Sequence, residues 1–315
     1  MRALRWDGTR LALARDVPDP VPRSREAVVR VRLAGICRTD LEITRGYLGF
    51  RGTPGHEWVG DVETADDPGL IGARVVGDIN LACGTCPACV AGLGRHCPTR
   101  RVLGIVEADG ALADRVVVPC ANLHRIPDGV PDRDAVFVEP LAAAFEILDQ
   151  VPTVAGARAV VLSDGKLGML VGQVLSGAGA DVRLVGHHEA KLARARALGI
   201  RTDTPAPGAD LVVDATGVPE GLAAALALVR PRGTIVLKTT VAAAHQVDLA
   251  PAVINEVTIV GSRCGRFSPA LAALADGRVS VAPLIDAVYP LDEAVAAFAH
   301  AARPGTLKVL VDARS

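Results

Sequence analysis

AVVLSDGKLGMLVGQVLSGAGADVRLVGHH, residues 159–188, decides the fold, because it reads as strand, glycine turn, helix and second strand in succession. Ala159–Leu162 is a short continuous apolar run, as a strand buried on both faces requires. A helix is expected over roughly Leu167–Gly177, and Asp181–Val185 is the next strand. The turn between them, Ser163-Asp164-Gly165-Lys166-Leu167-Gly168, occupies the place of the dinucleotide fingerprint G-x-G-x-x-G, with serine for the first glycine. Gly165 and Gly168 stand where backbone must approach a pyrophosphate and where helix must pack on strand. The second strand runs into Gly186, His187 and His188, with no carboxylate to take an adenosine ribose. That gap leaves room for a 2′-phosphate, whose charge His187, His188 and Lys191 could counter. NADP is therefore expected over NAD.

The alternation continues downstream. Glu189–Leu198 reads as a helix, Ala209–Asp214 as a strand, Gly221–Leu228 as a helix and Thr234–Leu237 as a strand. Val257–Val260 and a helix over Pro269–Asp276 follow, giving the βαβαβ pattern of a doubly wound parallel sheet. Leu141–Leu148, just upstream, is an alanine-rich helix. Before about residue 140 the texture differs. Ala27–Leu33 alternates apolar and charged residues, Ala73–Val76 and Ala113–Val118 are further strands, and no helical periodicity lasts three turns. Leu291–Ala302 and Leu307–Val311 form a final helix and strand that could join either half.

Of the 315 residues, 50% are hydrophobic and 22% charged, so a large core is expected; 34 basic residues balance 35 acidic ones, which argues against a nucleic-acid partner. No apolar run is long enough to span a bilayer, and the charged start MRALRWDGTRLALARDV is not a signal peptide, so a cytoplasmic protein with no membrane partner is expected. Seven cysteines fit a reducing compartment if metals explain most of them.

Four of those cysteines lie in CGTCPACVAGLGRHC: Cys83, Cys86, Cys89 and Cys97, spaced C-x2-C-x2-C-x7-C, with Gly84, Pro87, Gly92 and Gly94 to make the turns. Four thiolates with no open position describe a closed structural zinc site. Cysteines three apart rarely have the geometry of a disulfide. A second set of ligand types comes from separate segments: Cys37 in GICRTD, His56-Glu57 in TPGHEWVGDV and Glu139 in VEPLAAA. Mixed soft, borderline and hard donors suit a zinc with a position left open for substrate.

On GICRTD (35–40), GHEWVG (55–60), the cysteine lobe (83–97), VEPLAAA (138–144) and the Gly165–Gly168 turn, the chain resembles the zinc-dependent medium-chain dehydrogenase/reductase family over essentially its whole length. The resemblance implies an α/β chain: a GroES-like, mainly-β catalytic domain over residues 1–141, a Rossmann coenzyme domain over 142–282, and a return to the first domain over 283–315. It implies two zinc ions per chain. Cys37 and His56 match catalytic zinc ligands, Glu139 a third position that is glutamate in polyol-type branches, and Glu57 a residue that can ligate the metal when water is exchanged. Thr39 matches the proton-relay hydroxyl and Asp40 the carboxylate that orients the histidine. Arg38 and Lys308 match cations against the pyrophosphate, and Thr216 and Gly217, in DATG, the loop under the nicotinamide half.

The implied activity is hydride exchange between NAD(P) and an alcohol or carbonyl, with polyol, sugar or amino-alcohol substrates favoured. A biosynthetic reductase on the same scaffold and a non-catalytic zinc- and nucleotide-binding protein are the alternatives. The Cys37–His56 interval is short for the family, so trimmed pocket loops are expected, with Tyr47, Phe50, Cys264 and Arg266 as pocket candidates and Cys120 as packing. The family forms dimers or tetramers, and Val257–Val260 and Val281–Val288 are the candidate interface strands.

Overall fold

The computed structural model describes residues 1–239 and 246–315, which divide into two compact units: Met1–Glu139 with Ile285–Ser315, and Pro140–Leu284. The first unit is built on the ten-residue strand Glu26–Gly35, whose alternating sequence buries nearly every second residue and more. One edge pairs antiparallel with Glu57–Ala65. The other is shared between Arg115–Pro119 at its start and Lys308–Asp312 at its end. Leu123–Arg125, Arg74–Gly77 and Ile285–Pro290 complete a seven-stranded sheet. Helices before residue 138 are one or two turns only, such as Arg38–Ile43 and Pro87–Val90. The final strand thus belongs to this unit, with Leu310 and Val309 fully buried.

The second unit is a five-stranded parallel sheet ordered Asp181–Val185, Arg158–Leu162, Ala209–Asp214, Val229–Leu237, Thr258–Gly261. The central residues of its inner strands, such as Val160, Val161, Val212, Val213, Ile235 and Val236, are apolar and buried, because helices cover a parallel sheet on both faces. The helix Lys166–Gly177 buries Met169, Leu170, Val171, Val174 and Leu175. The first and third strands are neighbours, while the second lies on the other side of the first. The connections therefore diverge at the carboxyl ends of Arg158–Leu162 and Ala209–Asp214, the crevice where such sheets bind ligands. The loops Ser163–Gly165 and Ala215–Gly217 leave from those two ends.

One expectation is corrected. Of the two candidate interface strands, only Thr258–Gly261 edges the parallel sheet. The segment around Val281–Val288 forms a 3-10 turn over Ala282–Leu284 and then the strand Ile285–Pro290, which pairs with Lys308–Asp312 in the first unit.

Candidate active site and metal centres

Strand pairing assembles the first cluster. Gly35 faces Glu57 across the antiparallel pair, so Cys37, two residues past one strand, meets His56 and Glu57 at the start of the other. The ligand atoms of Cys37, His56 and Glu57 all lie within 4.8 Å of one another. Cys37 caps the helix Arg38–Ile43. Asp40, fully buried, accepts from the Cys37 amide at 2.7 Å and the Gly55 amide at 3.1 Å, and so ties the two segments together. Its Oδ1 lies 3.3 Å from His56 Nδ1, short of an aligned hydrogen bond, and Nδ1 is otherwise unpartnered. With Nδ1 turned to a carboxylate, Nε2 is the nitrogen left for a metal.

Burial alone would raise the Asp40 carboxyl, but His56 and the two amides hold it below its usual range. Burial would likewise lower His56, and Asp40 and Cys37 outweigh it, holding the imidazole well above 6.5. Thr39 Oγ1 stands 3.8 Å from Cys37 Sγ.

The carboxylate in this cluster is that of Glu57. Glu139 opens the helix Val138–Gln150, half-buried, and its oxygens are not among the three clustered donors. Lys308, expected against a pyrophosphate, is fully buried and forms an ion pair with Glu57. Burial pushes its ammonium down to about 8, against the pull of Cys37 and Asp40. Arg38, the other expected pyrophosphate cation, is exposed and paired to Glu42 at 2.9 Å. Phe50 lies in a core cluster with Trp6 and Ile43 rather than in a pocket, and Tyr47 opens the 3-10 turn before it. In the second unit Arg266 is ion-paired to Asp149 at 2.9 Å, and Cys264 is half-buried.

The second cluster is the cysteine lobe, an excursion between the paired strands Asn80–Leu81 and Arg101–Leu103. Its sulfurs are 3.5 Å apart for Cys86–Cys89 and 3.9 Å for Cys83–Cys89 and Cys86–Cys97. A tetrahedral zinc with bonds of about 2.3 Å sets its sulfurs about 3.8 Å apart, whereas a disulfide needs about 2 Å. The donor set therefore fits zinc. Amide donors from Thr85 and Cys86 hold the Cys83 thiol down at about 5, while burial and Cys86 push Cys89 up to about 12. Without a metal, the four would not all be thiolates together.

The dinucleotide turn lies in the second unit. Ser163 Oγ accepts from the Gly165 amide at 3.0 Å, so the serine hydroxyl braces the turn that a first glycine would make. A side chain at Gly168 would collide with the Ser163 carbonyl and come within 2.8 Å of its Cβ. This is the close helix–strand approach that the third fingerprint glycine serves. Lys166 and Leu167 begin the helix. Thr216 donates to Asp214 through its amide and its hydroxyl, and the Gly217 amide donates to Thr239 at 3.0 Å. Asp214 is fully buried and fixes this loop, a role that the sequence shows only as the first letter of DATG.

The space beside Gly186 is taken by a neighbour. A Cβ there would come within 2.6 Å of Asp164 Oδ2, whose carboxylate accepts from the amides of His187 and His188 at 2.7 and 2.8 Å.

Residues 23–128 match the family model of the alcohol dehydrogenase GroES-like domain, and residues 167–276 match that of the zinc-binding dehydrogenases. A 2-dehydro-3-deoxy-L-galactonate 5-dehydrogenase of Pseudoalteromonas atlantica is 30% identical across 92% of this chain and 92% of its own. The chain belongs to the zinc-dependent medium-chain dehydrogenase/reductase family. Another member, a D-altritol 5-dehydrogenase of Agrobacterium fabrum, is 34% identical over 90% of this chain and 91% of its own. Among solved structures, an Escherichia coli alcohol dehydrogenase complexed with NADH superposes with a TM-score of 0.90 at 26% identity, covering 99% of both chains. A zinc-binding dehydrogenase of Sinorhizobium meliloti bound to NADP also gives 0.90, at 28% identity over 99% of this chain and 98% of its own. The chain is thus a zinc-dependent NAD(P) oxidoreductase that interconverts an alcohol and its carbonyl by hydride transfer.

Proposed function

We propose that this enzyme acts on a secondary hydroxyl of a polyol, a sugar or a related sugar acid, or on an amino alcohol, at a zinc held by Cys37, His56 and a carboxylate. The observation that carries the reading is the convergence of Cys37, His56 and Glu57 donors in front of the buried Asp40. When bound, zinc acidifies the substrate hydroxyl and the nicotinamide takes the hydride. Asp40 holds the His56 tautomer. Thr39, beside Cys37, relays the hydroxyl proton outward. Glu139 is proposed as the third ligand of the resting site. Glu57, neutralised by Lys308, is proposed as the carboxylate that joins when substrate exchanges.

The amide end of the helix Lys166–Gly177 takes the pyrophosphate. Thr216 and Gly217, whose loop Asp214 fixes, would hold the nicotinamide half. The two zinc ions per chain are this centre and the cysteine lobe. Substrate class rests on the relatives, whose names include D-altritol and sorbitol dehydrogenases and L-threonine 3-dehydrogenases.

A test is coenzyme-linked oxidation of a panel of polyols, sugar acids, L-threonine and simple alcohols. Turnover of a polyol, sugar acid or amino alcohol that His56→Ala abolishes is expected. Turnover confined to simple alcohols would overturn the substrate class.

We also propose a homodimer or tetramer. Among the described residues no strand pairs with the outer edge of Thr258–Gly261, and Leu249, Val253 and Ile254 just before it in the chain are exposed. Light scattering reads the particle mass. No helix among the described residues is long and apolar enough to cross a membrane. A four-thiol zinc site and seven cysteines outside disulfides support a reducing compartment, the cytoplasm.

A further inference from the structure

In the fold of the second unit, the end of the second strand is where a carboxylate from the strand itself selects NAD by accepting from the adenosine ribose. Here that position is Gly186, which on sequence alone points to NADP. The space is not empty. Asp164, from the turn after the first strand, puts its carboxylate where a residue-186 side chain would stand: a Cβ at Gly186 would meet Asp164 Cγ at 2.7 Å and Oδ2 at 2.6 Å. A side chain at position 186 and the Asp164 side chain compete for one volume, so neither fits while the other is present.

The groups that could have welcomed a 2′-phosphate are already engaged. Asp164 Oδ2 accepts from the amides of His187 and His188, which open the nine-residue helix Glu189–Ala197, and from His188 Nδ1 at 3.0 Å. Lys191 Nζ, 12% exposed, stands 3.7 Å from Oδ1. That is longer than a hydrogen bond and leaves Oδ1 able to accept. The helix terminus, the imidazole and the ammonium are therefore arranged around a resident anion. Burial would raise this carboxyl, and the His188 and His187 donors with Lys191 hold it below its usual range instead, so it is ionised at neutral pH.

We propose that Asp164 is the specificity-determining residue for the coenzyme: its carboxylate, delivered from the glycine turn, accepts from the adenosine ribose 2′-hydroxyl and excludes a 2′-phosphate, making the enzyme NAD-dependent. This rests on the dinucleotide-binding reading of the second unit and reverses the NADP expectation drawn from Gly186. A 2′-phosphate beside this carboxylate would meet like charge at hydrogen-bond range, a penalty that easily exceeds tenfold in affinity.

The test is a nicotinamide-fluorescence titration of the full-length, zinc-loaded protein with NADH and with NADPH, which reads dissociation constants and needs no substrate. The wild type is expected to bind NADH more tightly by about tenfold or more. Asp164→Ala frees two amides, His188 and Lys191, and is expected to tighten NADPH and weaken NADH so that the preference inverts. The double variant Asp164→Gly with Gly186→Asp clears the Cβ that would collide with residue 186, returns a carboxylate from the strand end and is expected to restore NADH preference. It also guards against the single variant losing its helix cap. Tight NADPH binding by the wild type, or an unchanged NADH-to-NADPH ratio in folded Asp164→Ala, would overturn the proposal while leaving the dehydrogenase reading intact. Failure of the wild type to bind either nucleotide would overturn both.

Discussion

Lys308 and Glu57 are 251 positions apart in the chain and meet with both side chains completely buried. Removing one member of such a pair strands a charge in a medium that cannot solvate it, which costs about 3–5 kcal/mol. Lys308→Ala is therefore expected to lower the unfolding free energy by that amount in denaturant titration, while adding Glu57→Gln recovers most of it; equal losses in the single and double variants would show that the pair is not coupled. Asp164 poses the same problem of distance at smaller scale. Its importance is legible only once the turn and the end of the next strand are seen to share one volume. The sequence displays Asp164 only as one letter of the glycine turn and Gly186 only as a missing carboxylate. By contrast the four lobe cysteines are legible directly, because their spacing limits the alternatives, whereas Cys37 and His56 are ordinary residues one by one and stand out only as a set and through the family resemblance.

At the scale of elements, the central parallel strand Ala209–Asp214 is readable because burial on both faces demands an apolar run, and it, the edge strand Asp181–Val185 and the helix Gly221–Leu228 agree with the structure to the residue. The segment Val281–Val288 misleads for the same reason. Apolar character marks it as a strand but does not say which sheet receives it, and the structure gives its later part to the first unit. The cysteine lobe has almost no core of its own. Leu93 and Val90 are exposed, and of its residues only Cys97 is fully buried, which leaves the proposed zinc as the source of its order. Cys86→Ser is expected to release one zinc and open residues 83–97 to proteolysis, with the strands on either side still protected. Unaltered zinc content in that variant would remove the lobe from the metal account.

For the whole molecule, the return of the chain to its first unit is the feature with the largest consequence. Lys308–Asp312 fills the edge of Glu26–Gly35 beside Leu33, Ala34 and Gly35, immediately before Cys37, and also delivers Lys308 to Glu57. Ending the chain at Leu284 removes that strand and its neighbour Ile285–Pro290, together with the buried Val309, Leu310 and Val311. Amide hydrogen exchange over residues 33–37 is expected to be slow in the complete chain and fast in the truncated one; equal protection would show that the first unit does not depend on its C-terminal strands. The domain return is legible from family resemblance, but not from local pattern, since a helix and a strand at the end of a chain fit either unit.

The claim on which the rest depends is that Cys37 and His56 hold a second, catalytic zinc distinct from that of the lobe. It is tested most directly by counting zinc in the purified wild type and in Cys37→Ser. The account predicts two ions per chain in the first and one in the second, with coenzyme-linked alcohol oxidation lost and the lobe intact. One zinc in both proteins, or full turnover by Cys37→Ser, would contradict it.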